Sequence, residues 1–227
     1  MEPTLGELCV KVAVEEMNRQ NPPTKKDLAD FFEHCERGGK KLGIKSGNHC
    51  AAFASWTALV AVQEMPWMDE DDIPHRPRAG ARELMADAIE THCWHEQSEV
   101  LKGVWTPFPG DLAIYDRSIP GRPETAWWGH VDRVIEVKNG KFKNIGANEV
   151  PTRSGINATR IEETTLDHPR ILGFVAYPRP EQQEPKHLLP EWQIDYIKSL
   201  VALTAAQSLD EARALSEAEF MANWKDS

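Results

Sequence analysis

Cysteine is scarce in this chain. Cys9, Cys35, Cys50 and Cys93 are its only four, too few and too scattered for the disulfide framework of a small secreted domain. Positive charge is also short: 26 Lys and Arg face 36 Asp and Glu, for a net charge of -10. An acidic chain is a poor general ligand for nucleic acid or anionic lipid, so neither a nucleic-acid nor a membrane partner is expected. No apolar run approaches transmembrane length. The stretch Met1 to Asn21 carries acidic residues in an amphipathic pattern where a signal peptide would have a basic segment and an apolar core. Synthesis in the cytoplasm without a signal peptide is therefore expected. Internal repeats and low-complexity tracts are missing too. What is left is an ordinary globular composition, 41% hydrophobic and 27% charged over 227 residues, enough for one good-sized domain with or without an appendage.

Helical signals come first along the chain. Thr4-Leu5-Gly6-Glu7 reads as a capping box for a helix that ends near Asn21-Pro22-Pro23. Thr24 caps a second helix carrying Leu28, Phe31, Phe32 and Cys35, stopping at Gly38-Gly39. A third runs from Cys50 to about Glu64, with Phe53, Trp56, Leu59 and Val60 on its packed face. The acidic, proline-bearing stretch 66–77 reads as a loop, and Ala79 to His95 as a fourth helix.

The pattern then changes to strands. Asp111 to Tyr115 follows a Pro-Phe-Pro-Gly turn, and His130 to Val137 alternates. Asn139-Gly140 is a strong hairpin turn that folds Lys141 to Ile145 back. Ile171 to Tyr177 is a last apolar strand. Helices first and strands later predict an α+β domain with helices packed on an antiparallel sheet, covering residues 1–180. Beyond it, residues 181–227 read as a proline-rich linker and a C-terminal helical extension carrying Trp192, Tyr196, Leu215 and Trp224.

Candidate chemistry gathers on three of these elements. Cys50 stands where a turn-like stretch becomes a helix. The first helical turn has unpaired N–H groups and a partial positive charge, and both favour the nucleophilic thiolate. A buried, inert helix cysteine is the commoner fate of the residue type, so a partner base matters. His130, at the start of a strand and preceded by Trp127-Trp128-Gly129, is the candidate base. Asn148 follows on the hairpin partner strand, at nearly the same distance from the Asn139-Gly140 turn, where its side-chain carbonyl can orient the His130 ring. Asp132, two residues from His130, shares its face and is an alternative orienter, while Glu149 points the other way if the strand continues. Trp127 and Trp128 are candidates for stacking on substrate, with core packing the competing role for one of them. Asn48 or His49 is a candidate second oxyanion donor beside the Cys50 backbone N–H.

With these residues in place, the chain resembles the CHAP and NlpC-type papain-like cysteine amidohydrolases. The matching pieces are His49-Cys50-Ala51-Ala52-Phe53-Ala54-Ser55-Trp56, Pro107-Phe108-Pro109-Gly110-Asp111-Leu112-Ala113-Ile114-Tyr115, Gly129-His130-Val131, Gly146-Ala147-Asn148 and Ile171-Leu172-Gly173-Phe174, in the family's order. The resemblance covers roughly residues 1 to 180. It implies a papain-like fold and hydrolysis of amide bonds in peptidoglycan, either muramoyl–alanine or peptide bonds, through an acyl-enzyme on Cys50 with no metal and no cofactor. Many family members carry an acidic residue two before the asparagine, where this chain has Gly146, and Gly-Ile or Gly-Phe where it has Asp132-Arg133. A lysin or antibacterial effector is expected, reaching the periplasm or the outside through a holin or a secretion machine, and an effector would have a cognate inhibitor.

Two other readings stay open on sequence. One is a cytoplasmic thiol protease or amidase acting on a protein or small molecule. The other is a non-catalytic interaction module in which Cys50 is structural. The tract His92-Cys93-Trp94-His95 lacks a second ligand pair for a metal, and Asp69-Glu70-Asp71-Asp72 lacks the glycine and terminal glutamate of an EF-hand loop. A helix end and a solvated loop are the expectations there.

Overall fold

The computed structural model describes residues 2–37, 40–41, 49–150 and 156–179. The protein is α+β: helices packed on an antiparallel sheet. In chain order the elements are α1 (Leu5–Arg19), α2 (Lys25–Phe32), a small pair β1 (Glu36–Arg37) and β2 (Lys40–Lys41), then α3 (Cys50–Gln63), α4 (Ala81–Glu90), β3 (Trp94–Glu96) and α5 (Gln97–Leu101). The strands β4 (Leu112–Asp116), β5 (Gly129–Lys138), β6 (Lys141–Val150), β7 (Ala158–Thr165) and β8 (Ile171–Val175) follow. The main sheet has the order β3-β8-β4-β5-β6-β7, and each neighbouring pair is antiparallel.

Local chemistry explains the helix starts. Thr4 with Glu7 and Thr24 with Asp27 each form a complete capping box, so two orphan N–H groups are met at each end. α3 starts at Cys50 and is buried on nearly every side, including Ala51, Ala52, Ala54, Ala58 and Ala61. It packs against α1 and α2 and against β5 and β6. Its alanines let backbones on several sides come close, as a central helix requires.

β4 is likewise buried on both faces. Leu112 and Ile114 join Leu5, Leu8, Ala54, Ala58 and Val131 in one cluster, while Ala113 and Tyr115 join Val134, Phe142 and Phe174 in another. Strand alternation thus divides the core into two layers. The hairpin β5–β6 turns at Asn139 and Gly140, both with positive φ, 52° and 73°, as a two-residue primed turn demands.

Several expectations are corrected. α2 ends at Phe32, short of Gly38-Gly39. The fourth helix stops at Glu90, where the backbone turns at His92 (φ 59°), and Trp94–Glu96 pairs with β8 as an edge strand. β6 continues to Val150, and β7 pairs with it as a further strand. The acidic loop contains one 3-10 turn, Glu70–Asp72, capped by Asp69. The linker and C-terminal helices expected in 181–227 lie outside the described residues.

The Pro-Gly-Asp stretch ahead of β4 is a structural junction. Asp111 accepts from the backbone N–H of Phe108 (2.6 Å) and of Tyr177 (2.8 Å) and pairs with Arg179 at 3.1 Å. It therefore ties the entrance of β4 to the exit of β8. Gly110 has φ 99°, and a Cβ there would run into the backbone of Gly6, so the motif's glycine is also the point where α1 meets the sheet.

Candidate active site

Cys50 is the first residue of α3 and is 7% exposed. His49 precedes it as N-cap with no side-chain cap, so its side chain does not satisfy the first-turn N–H groups. His130, second residue of β5, is buried. Its Nε2 lies 2.7 Å from Oδ1 of Asp132, in an ion-pair contact that is itself buried. Cys50 acts on the same ring, by charge and by hydrogen bond.

The two groups shift one another. Burial pushes the Cys50 thiol up, but the His130 charge and hydrogen bond, the Val131 backbone N–H and the Arg117 charge outweigh it and hold Cys50 below the ordinary thiol value. Burial pulls His130 down, and the Asp132 and Cys50 charges and hydrogen bonds raise it well above the ordinary histidine value. Both shifts favour a thiolate beside an imidazolium.

Behind Asp132 stand two residues that sequence reading did not single out. Asn144 on β6 donates through Nδ2 to Oδ2 of Asp132 at 2.6 Å and to the Tyr115 hydroxyl at 3.0 Å. Tyr115 on β4 pairs directly with His130 across the ladder, with ring centroids 6.0 Å apart. Strand alternation makes the His130–Asp132 pair readable in sequence. The β4–β5 connection is too long to fix a register, so Tyr115 carried no such signal.

Of the expected site residues, Cys50 and His130 are brought together. Asp132, the alternative orienter, is the group found against His130. Asn148 lies on β6, and the β5–β6 ladder stops at Arg133↔Ile145, three residues short of His130. The side chains of Asn148 and Glu149, and residue Asn48, lie outside the described residues. Trp127 and Trp128 are 55% and 40% exposed and meet edge to face at 6.2 Å. Both indoles are exposed, just ahead of His130 in the chain, and neither is core.

Arg133 departs from the pattern of the family the chain resembles. It is a buried cation whose guanidinium donates to Gly110 O (2.6 Å), Ala54 O (2.8 Å), Thr57 Oγ1 (3.1 Å) and the Tyr177 hydroxyl (3.3 Å). It joins the strand bearing His130 to the helix bearing Cys50. His95 pairs with Glu99 at 3.1 Å. Among the described residues no three His, Cys, Asp or Glu side chains are grouped to hold a metal ion, and no helix is long and apolar enough to cross a membrane.

No protein-family model and no curated protein matches the chain. Among solved structures, one described as the crystal structure of Ly7917 superposes with a TM-score of 0.36 at 15% identity, over 69% of this chain and 63% of that one. The chain thus spans under two thirds of that neighbour, and a score this low establishes no shared fold.

Proposed function

We propose that this protein is a papain-like cysteine amidohydrolase that cleaves amide bonds in peptidoglycan. The observation that carries the chemistry is the buried cluster of Cys50, His130 and Asp132, with the thiol lowered and the imidazole raised. The substrate class rests on the motif resemblance set out above.

In this reading the Cys50 thiolate attacks the amide carbonyl, and the carbonyl oxygen takes up negative charge against the first-turn N–H of α3. His130 gives its ring proton to the leaving nitrogen as the C–N bond breaks, and the acyl group stays on Sγ. The neutral imidazole then takes one proton from water, whose oxygen attacks the thioester and releases the carboxylic acid, which loses its proton to solvent, and the thiolate beside the imidazolium. Asp132 keeps the ring in place and stabilises its positive form. Trp127 and Trp128 offer flat apolar surface to the substrate beside the reacting bond. The enzyme works in the periplasm or outside the cell, delivered by a holin or a secretion machine, with a cognate inhibitor if it is an effector.

Digestion of defined muropeptides, with mass analysis of the products, tests the proposal. Wild type is expected to release amide-cleavage products and Cys50→Ala none. Equal products from Cys50→Ala would refute the nucleophile. No product from any wall type, together with cleavage of other amides, would move the substrate to a cytoplasmic protein or small molecule.

A further inference from the structure

We propose that Asn144 and Tyr115 are positioning residues, a polar clamp that aims Asp132 at His130 and so sets how much of Cys50 is thiolate. The proposal rests on the Cys50–His130 pairing described above and extends it one layer outward.

Asn144 is 2% exposed, on a strand whose neighbours Phe142 and Ile145 are core. A buried amide there is costly unless its hydrogen bonds are made. Both Nδ2 protons are used, one on Asp132 and one on Tyr115. Oδ1 is buried and has no hydrogen-bond partner. Turning the amide over would set Oδ1 against the Asp132 carboxylate, so the orientation is fixed by the need to donate to Asp132. An unmet buried acceptor is unusual in a folded core; here it accompanies an amide whose donors face the candidate catalytic group.

Tyr115 completes the arrangement. Burial, then the Asp132 charge, pushes its phenol far above the ordinary tyrosine value. It therefore stays neutral, and its hydroxyl oxygen accepts from Asn144 at 3.0 Å. Asp132 is thus met by His130 on Oδ1 and by Asn144 on Oδ2, and Tyr115 holds Asn144 in turn. A carboxylate on β5, held by an amide on β6 that is anchored to β4, keeps its Oδ1 against Nε2. That fixes the imidazole beside the thiol.

The test is the pH titration of thiolate ultraviolet absorbance, with Cys50→Ser as the blank. Wild type should titrate below an ordinary thiol. Asn144→Leu and Tyr115→Phe should each raise the midpoint, by about one unit for Asn144→Leu, a roughly tenfold loss of thiolate on the acid side. Tyr115→Phe keeps the ring, so it decides the matter if Asn144→Leu does not fold. A midpoint unchanged in folded variants would overturn the clamp and leave the Cys50–His130 pair standing. A lowered midpoint would overturn it too, because the donors would then only drain charge from Asp132. If wild type itself titrates like an ordinary thiol, the pairing fails and the clamp falls with it.

Discussion

Replacing Arg133 with methionine should destabilise the protein by about 3 kcal/mol. Arg133 is 2% exposed and donates to Gly110 O, Ala54 O, Thr57 Oγ1 and the Tyr177 hydroxyl. Hydrogen bonds to a charged donor contribute roughly 1.5–3 kcal/mol each. Against them stands the cost of burying a cation, several kcal/mol. Ala54 O lies within α3 and keeps a helical role, whereas Gly110 O loses a short bond at the α1–sheet junction. Methionine fills similar volume, so the loss comes from unmet acceptors rather than from a cavity. For a domain of this size about 3 kcal/mol corresponds to a melting temperature lower by roughly 6–12 °C. Arg133→Lys should recover only part of it, since one ammonium cannot span acceptors arranged around a planar fork. Thermal melts by circular dichroism check both. A methionine variant melting within about 2 °C of wild type would show that desolvation cancels the bonds, and would refute Arg133 as the tie between α3 and β5.

Two further outcomes follow from the junctions around it. Gly110→Ala should lower the melting temperature sharply, because φ is 99° and the added Cβ would meet the Gly6 backbone; an unchanged melt would refute the close approach of α1. His75 is buried, with Nδ1 3.0 Å from Arg76 O and Nε2 2.7 Å from the Tyr177 hydroxyl. Burial, partly offset by the Arg76 carbonyl, lowers it from 6.5 to about 4. The unfolded chain takes up this proton first as pH falls, so the stability contribution is complete above the ordinary histidine value and is lost progressively toward about pH 4, to a total of about 3 kcal/mol. His75→Gln should flatten that part of the stability–pH curve measured by denaturant titration; an unaltered slope would contradict a neutral buried imidazole.

What could be read in sequence was what is local. The capping box at Thr4, the cap at Thr24, the start of α3 at Cys50 and the Asn139-Gly140 turn each depend on a few adjacent residues, and each appears where expected. The partnership of His130 with Asp132 is also local, since alternate residues of a strand share a face. The side chain of Asn148 lies outside the described residues, and the β5–β6 ladder, with a register shift between Val134 and Glu136, ends at Arg133↔Ile145. Tyr115, Asn144 and Arg133 act across strands and layers whose register no short pattern specifies. β3 was hidden for a similar reason: Trp94–Glu96 is a strand only because β8 lies beside it.

The central claim is that Cys50 is an activated thiolate, and its most direct test is competition among the four cysteines for limiting iodoacetamide at mildly acid pH, read by peptide mapping. Cys9 and Cys35 are buried and raised by that burial, Cys35 to about 12, while Cys93 is the most accessible. The account predicts that Cys50 is alkylated first despite its burial, and that Asp132→Asn slows it while leaving Cys93 unchanged. Alkylation of Cys93 ahead of Cys50, with Cys50 no faster than Cys9, would contradict it.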